Sequence, residues 1–131
     1  MLRIQTPLPE DLEALVRNTI GCCITVHREL GPGLIEGIYC KAICRELAAA
    51  NIPYERQRRI AVTYRGEYLC DQWLDFVVGN QLVLEIKSVE QLVPVHHSQL
   101  LNYMHLAGLR VGLLINFNVV VLKDGIRRKV L

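Results

Sequence analysis

In the run Leu82-Val83-Leu84-Glu85-Ile86-Lys87 an acid and a base stand two residues apart within otherwise apolar sequence. Strand geometry turns alternate side chains to one face, so Glu85 and Lys87 share a side. Charges in such a run cost free energy unless they are paired or bound to something. Alone, the pair reads as a Glu–Lys contact at a strand end. The preceding run, Asp71-Gln72-Trp73-Leu74-Asp75-Phe76-Val77-Val78, adds a second carboxylate: Asp71, Trp73 and Asp75 alternate onto one face, with Phe76 and Val78 on the other. A two-residue turn at Gly79-Asn80 would set Asp75 against Leu84 and turn it away from Glu85. A three-residue loop, Gly79-Asn80-Gln81, sets Asp75 opposite Glu85, and the odd-length loop is the expectation.

In that register two carboxylates and an ammonium group converge. Like charges so close are stable mainly when a divalent cation sits between them. Hard oxygen ligands select Mg2+ or Mn2+ and not zinc. Such an ion polarises a phosphoryl oxygen and acidifies a bound water, while Lys87 orients that water or stabilises developing negative charge. The chemistry indicated is hydrolysis of a phosphodiester.

The elements that must position these groups are legible from periodicity. From Glu10 to Leu30, apolar residues recur at steps of three and four (Leu12, Leu15, Val16, Ile20, Cys23, Val26, Leu30), an amphipathic helix that Gly31-Pro32-Gly33 must end. A second helical stripe runs from about Leu34 to Ala50 and stops near Asn51 and Pro53. From Tyr54 the period drops to two, and three strands follow as a meander, with breaks at Arg65-Gly66 and Gly79–Gln81. A helix from about Val95 to Ala107 leads to Val111–Asn116, a continuous apolar run typical of a strand buried on both faces. The closing run, VVVLKDGIRRKVL, reads as an edge hairpin turning at Asp124-Gly125.

The expected fold is α/β (α+β): a mixed β-sheet flanked by helices in the order ααβββαβ plus a C-terminal edge hairpin. A crossover helix between LVLEIK and VGLLIN makes those two strands parallel within a largely antiparallel sheet.

With 131 residues there is room for one domain, residues 1–131, and half the residues are hydrophobic, enough for a sizeable core. A net charge of +2 does not advertise a nucleic-acid binder and leaves the partner open. Five cysteines with no CxxC pair suggest neither a disulfide framework nor a zinc ribbon, and a reducing cytoplasm fits best. No apolar run approaches the roughly 20 residues that span a bilayer, and MLRIQTPLPEDLE lacks the apolar core of a signal peptide.

The run LGPGLIEGIYCKAICREL, followed by ERQRRIAVTYRGEYLCDQWLDFVVGNQLVLEIKSVEQLVPVHHSQLLNYMHLAGLRVGLLINF, resembles the GxxExxY proteins of the PD-(D/E)XK nuclease superfamily, over about Leu12 to Phe117. Gly33-Leu34-Ile35-Glu36-Gly37-Ile38-Tyr39 matches the naming motif, Asp75 the motif aspartate and Glu85-Ile86-Lys87 the (D/E)XK triplet. The resemblance implies a restriction-endonuclease-like fold and a nuclease acting on DNA or RNA. It implies Glu36 as a further carboxylate toward the metal and the backbone carbonyl of Ile86 as a last ligand. Gln99 and Tyr103, four residues apart and so on one helix face, match a QxxxY pattern found beside the active site in several branches of the superfamily, where the pair orients water, the lysine or a phosphate. Their plain alternative is a polar pair that helps the helix dock. Relatives often carry a basic or small residue before the motif aspartate; here Trp73 and Leu74 stand there.

Other residues weigh less. His96 stands three residues before Gln99 and reads more readily as a helix-start histidine than as a proton shuttle. Cys40 and Cys44, one helical turn apart, read as a packed stripe and not a soft-metal site. Arg56, Arg58 and Arg59 with Lys41 and Arg45 read equally as a basic rim for a phosphate backbone or as arginines guarding an edge strand. Two functions of different class fit the sequence. The first is a Mg2+- or Mn2+-dependent nuclease; the second is a catalytically silent nucleic-acid-binding or assembly module on the same fold. Homodimerisation through the apolar VVVL edge or a helical face would widen the groove available to a nucleic acid.

Overall fold

The computed structural model describes residues 7–131; the part of the N-terminal reading that falls on residues 1–6 lies outside them. Two helices come first, α1 (Glu10–Leu30) and α2 (Glu36–Ala49). Acids fill the first turn of α1 (Glu10, Asp11, Glu13) and His27 and Arg28 its last, each set opposing the local end of the helix dipole. Gly31, at φ 67°, ends the helix where the sequence places its break. Three strands follow, β1 (Tyr54–Tyr64), β2 (Glu67–Val78) and β3 (Leu82–Lys87), then helix α3 (Pro94–Ala107) and strands β4 (Val111–Asn116) and β5 (Ile126–Val130).

The strands make one sheet in the order β1-β2-β3-β4-β5. Pairings are antiparallel except for β3 with β4, which is parallel, as a helical crossover requires. One face lies against α1 and α2: Phe76, Val78, Leu84, Ile86, Leu113 and Ile115 pack with Val16, Cys23, Val26, Tyr39, Ile43 and Leu47. The other face lies against α3, where Leu74, Val77, Val83 and Leu114 meet Leu100 and Met104. β3 and β4 are therefore covered on both sides, which is why their sequences are apolar without alternation. Each fully buried Leu, Ile or Phe here contributes roughly 1.5–3 kcal/mol of burial free energy. Gly112 in β4 lets α3 come close, since a Cβ there would stand 2.6 Å from Met104 Sδ.

The expected C-terminal hairpin does not form. The segment from Asn118 to Val121 bends without pairing, Leu122–Gly125 makes a 3-10 turn, and β5 alone pairs antiparallel with β4. Two competing demands explain the difference. Pairing the valine run with IRRKV would leave the edge of β4 bare, and Leu122 and Val119 instead pack into the core beside α1 and α2. The bend is fixed by a 2.8 Å hydrogen bond between His27 Nε2 and the Val119 carbonyl. Gly125 is needed there for space, because a Cβ would collide with the Asn116 carbonyl oxygen.

Candidate active site

The loop between β2 and β3 has three residues, Gly79–Gln81, and the register is Val78↔Leu82, Val77↔Val83 and Phe76↔Leu84. The next step brings Asp75 against Glu85, and there the ladder stops. Side chains occupy the gap between the parting strands: the Asp75 N–H donates to Glu85 Oε1 (3.0 Å), and the Ile86 N–H donates to Asp75 Oδ2 (2.9 Å). Each carboxylate thus satisfies a backbone donor of the opposite strand. Strand alternation also breaks beside Asp75. Leu74 and Val77 both pack with α3, although three residues apart, while Phe76 and Val78 lie in the opposite cluster. β1 deforms at the same level, with Gln57, between Arg56↔Phe76 and Arg58↔Leu74, held at φ 58°.

Glu85 is buried (5 % exposed), and Asp75 and Lys87 are half-buried. Burial, and then the nearby Asp75 charge, push the Glu85 carboxyl up to about 8; the Asp75 N–H and the Lys87 ammonium act against that rise. Lys87 Nζ donates to Gln99 Oε1 (3.3 Å), and Tyr103 Oη accepts from Gln72 Nε2 (2.8 Å). The two polar residues of α3 therefore reach different strands of the site, Gln99 the lysine of β3 and Tyr103 the glutamine of β2. Burial raises the Tyr103 pKa, with the Glu85 and Asp75 charges adding to it and the Gln72 hydrogen bond opposing.

Glu36 is the first residue of α2. As a residue it is exposed, yet partial burial of its carboxyl is the main cause raising its pKa; the Asp75 charge adds to it, and Lys87 and Arg56 pull it down. The turn ahead of Glu36 is held by Tyr39, whose hydroxyl donates to the Gly31 carbonyl (2.6 Å) and accepts from the Leu34 N–H (3.1 Å), while its ring stacks on Phe117 with centroids 4.5 Å apart. Gly33, at φ 96°, supplies the backbone conformation that this turn needs. Ser88, next after Lys87, donates its hydroxyl to the Leu34 carbonyl (2.6 Å), tying the end of β3 to the start of α2. The Gly33, Glu36 and Tyr39 spacing thus has a structural meaning: glycine shapes the turn, tyrosine clamps it, and glutamate opens α2 within electrostatic reach of Asp75.

Two contributors, Gln72 and Asn116, were not singled out by sequence, and a third, Arg56, was read there as part of a basic rim or an edge guard. Arg56 donates to the Asp75 carbonyl (3.1 Å) and lies 5.0 Å over the Phe76 ring, so it braces the aspartate and does not stand in an open rim. Gln72 anchors Tyr103. Asn116, buried opposite Lys87 in β4, accepts from the Val89 N–H and donates to the Val89 carbonyl, fixing the loop beyond the lysine. Only the alternation of β2, which puts Gln72 opposite Trp73, hinted at any of them. Arg58 and Arg59 pair with Glu55 (4.0 Å) and Asp71 (3.4 Å) on the edge strand. His96 caps α3, its Nδ1 accepting from the Val93 N–H at 3.1 Å. Cys40 is buried in the α1–α2 side of the core, which pushes its thiol up to about 12, with Asp75 adding to the rise.

Sequence comparison, which is independent of this geometry, gives a family. The profile of the PD-(D/E)XK nuclease superfamily matches residues 13–129. The chain belongs to this superfamily. No curated protein and no solved structure matches it. PD-(D/E)XK nucleases generally use divalent metals. Among the described residues no three His, Cys, Asp or Glu side chains are grouped closely enough to hold an ion as they stand. The donor set nevertheless suits a hard cation. Its atoms are carboxylate oxygens, and Asp75 raises the pKa of both Glu85 and Glu36, a mutual repulsion that a divalent charge would relieve. Among the described residues no helix is long and apolar enough to cross a membrane, and Cys22, Cys23, Cys40, Cys44 and Cys70 are unpaired.

Proposed function

We propose that this chain is a Mg2+- or Mn2+-dependent nuclease of the GxxExxY group that hydrolyses phosphodiester bonds of DNA or RNA. The observation that carries the reading is the break in the β2–β3 ladder, where the Asp75 and Glu85 carboxylates meet beside Lys87. Glu36, Asp75, Glu85 and the Ile86 backbone carbonyl would hold the ion. When bound, it supplies charge neutralisation at the phosphate and an acidified water. Lys87 orients the attacking water or steadies the charge that develops on the phosphoryl oxygens. Gln99 holds the Lys87 ammonium in place, and Tyr103 reaches toward the same opening from one helical turn further along α3. The chain works as one domain, residues 1–131, in the cytoplasm, and as a homodimer if the groove is to span a duplex.

A second reading, a silent nucleic-acid-binding or assembly module, draws support from one observation. Asp75 and Glu85 already satisfy each other's strands, so the pair has a structural use without metal. Titration calorimetry with Mg2+ and Mn2+, joined to turnover of Lys87→Ala, separates the two. The nuclease reading expects metal binding in both the wild type and Lys87→Ala, with cleavage reduced about 100-fold or more in the variant and an unaltered thermal midpoint. Unchanged turnover in Lys87→Ala would sink the mechanism, and metal binding without turnover in the wild type favours the module.

A further inference from the structure

Among the described residues, the half of β2 beyond the site, residues 67–74, pairs with β1 alone, because pairing with β3 ends at Phe76↔Leu84. One side of this two-stranded arm is anchored. Leu74 and Ile60 pack with the α3-side cluster, and Gln72 bonds Tyr103. Alternation turns Asp71, Trp73 and, across the register, Arg59 to the opposite side. The ion pair between Arg59 and Asp71 (3.4 Å) lies on that face. Trp73 is 53 % exposed there, and Tyr68, 61 % exposed, has Asp71 beside its hydroxyl. At the tip, Arg65 lies 5.4 Å over the ring of Tyr64, itself 60 % exposed. Exposed apolar surface gathered in one place, and not scattered singly, is what marks an interaction site.

We propose that this arm binds an unpaired nucleic-acid strand by stacking bases on Trp73 and Tyr68, and so presents that strand to Asp75. The proposal rests on the nuclease reading and gives it a substrate class. Two observations favour an unpaired strand over a duplex. Duplex binding draws on several phosphate contacts by free cations, whereas the chain carries a net charge of +2 and its β1 arginines are engaged. Arg58 and Arg59 are in ion pairs, and Arg56 is on the Asp75 carbonyl. Stacking needs no such excess of charge, and it needs base faces that a duplex hides. The pairing shifts between Val62↔Cys70 and Thr63↔Tyr68, which brings Tyr68 round to the Trp73 face, and the run from Tyr68 to Trp73 spans at most about 17 Å, enough for more than one base.

Trp73 is the single tryptophan of the chain, so its emission reports on the arm. The test uses the full chain in a metal chelator, which prevents metal-dependent cleavage, and adds oligothymidylate of about ten nucleotides or a blunt duplex of equal length. Quenching by the oligothymidylate and not by the duplex is the expected result. In anisotropy titrations with labelled oligothymidylate, Trp73→Ala and Tyr68→Ala each weaken binding about tenfold, and Trp73→Phe retains most of it. Unchanged emission, wild-type binding by Trp73→Ala, or equal affinity for the duplex each overturns the proposal. So does a concentration-dependent blue shift without oligonucleotide, which would place the arm against a second copy of the chain. A chain that cleaves with metal but shows no quenching loses the arm proposal and keeps the nuclease reading. One that quenches but never cleaves does the reverse.

Discussion

Burial and the Asp75 charge push the Glu85 carboxyl up to about 8, so near neutral pH the metal-free site holds a proton that a bound cation must displace. Metal affinity should therefore rise with pH until about 8 and level off above it, and calorimetry in buffers of different ionisation enthalpy should detect proton release near pH 7. Glu85→Gln should abolish that release. The same shift sets the sign of the stability profile. An acid whose folded pKa lies above its ordinary 4.5 binds protons more tightly when folded, so the Glu85 contribution is fully present below 4.5 and is lost as pH rises toward about 8. Saturating Mg2+ should remove this loss, which thermal melts across that window will show. At this scale the sequence was most informative for Asp75, Glu85 and Lys87, because the three-residue loop sets Asp75 against Glu85 and alternation in β3 pairs Glu85 with Lys87; the break in β2 alternation beside Asp75, which parts Leu74 from the expected pattern, had no local signal. The sequence marked Arg56 only as a rim or edge arginine and was silent on Gln72; their partners, the Asp75 carbonyl and the Tyr103 hydroxyl, are contacts between elements that no local pattern encodes.

Among the elements, the turn between α1 and α2 bears directly on the site. Tyr39 bonds both Gly31 and Leu34, and Ser88 bonds Leu34, so the position of Glu36 is coupled to the end of β3 through three hydrogen bonds. Tyr39→Phe keeps the stack on Phe117 and removes two of those bonds. It should cost about 1–3 kcal/mol in urea unfolding and lower cleavage by loosening Glu36, whereas an unaltered unfolding midpoint would mean that the turn holds without the clamp. The C-terminal turn makes a second prediction. With Gly125 packed against the Asn116 carbonyl, Gly125→Ala should destabilise the fold by about 3 kcal/mol, readable as a lowered urea midpoint. Helix and strand spans up to Asn116 were legible because each carries its own period. The final hairpin was misread because Asp124-Gly125 is a strong local turn signal, while the open edge of β4 and the core positions of Val119 and Leu122 are decided only in three dimensions.

For the molecule as a whole, the sheet supplies a rigid floor and the site sits where its order is interrupted. β3 is enclosed from both sides, so Glu85 enters an apolar layer, and the parting of β2 opens that layer at one place. The superfamily membership gives the fold and the nuclease class, the geometry brings Asp75 and Glu85 together, and the modest charge turns attention from duplex grip to local contacts along the β1–β2 arm. The most direct test of the account is cleavage of single- and double-stranded DNA and RNA with Mg2+ or Mn2+, comparing the wild-type chain with Asp75→Ala. The account predicts products that require metal and appear with the wild type alone. Equal cleavage by Asp75→Ala, or cleavage that persists in a chelator, would contradict it.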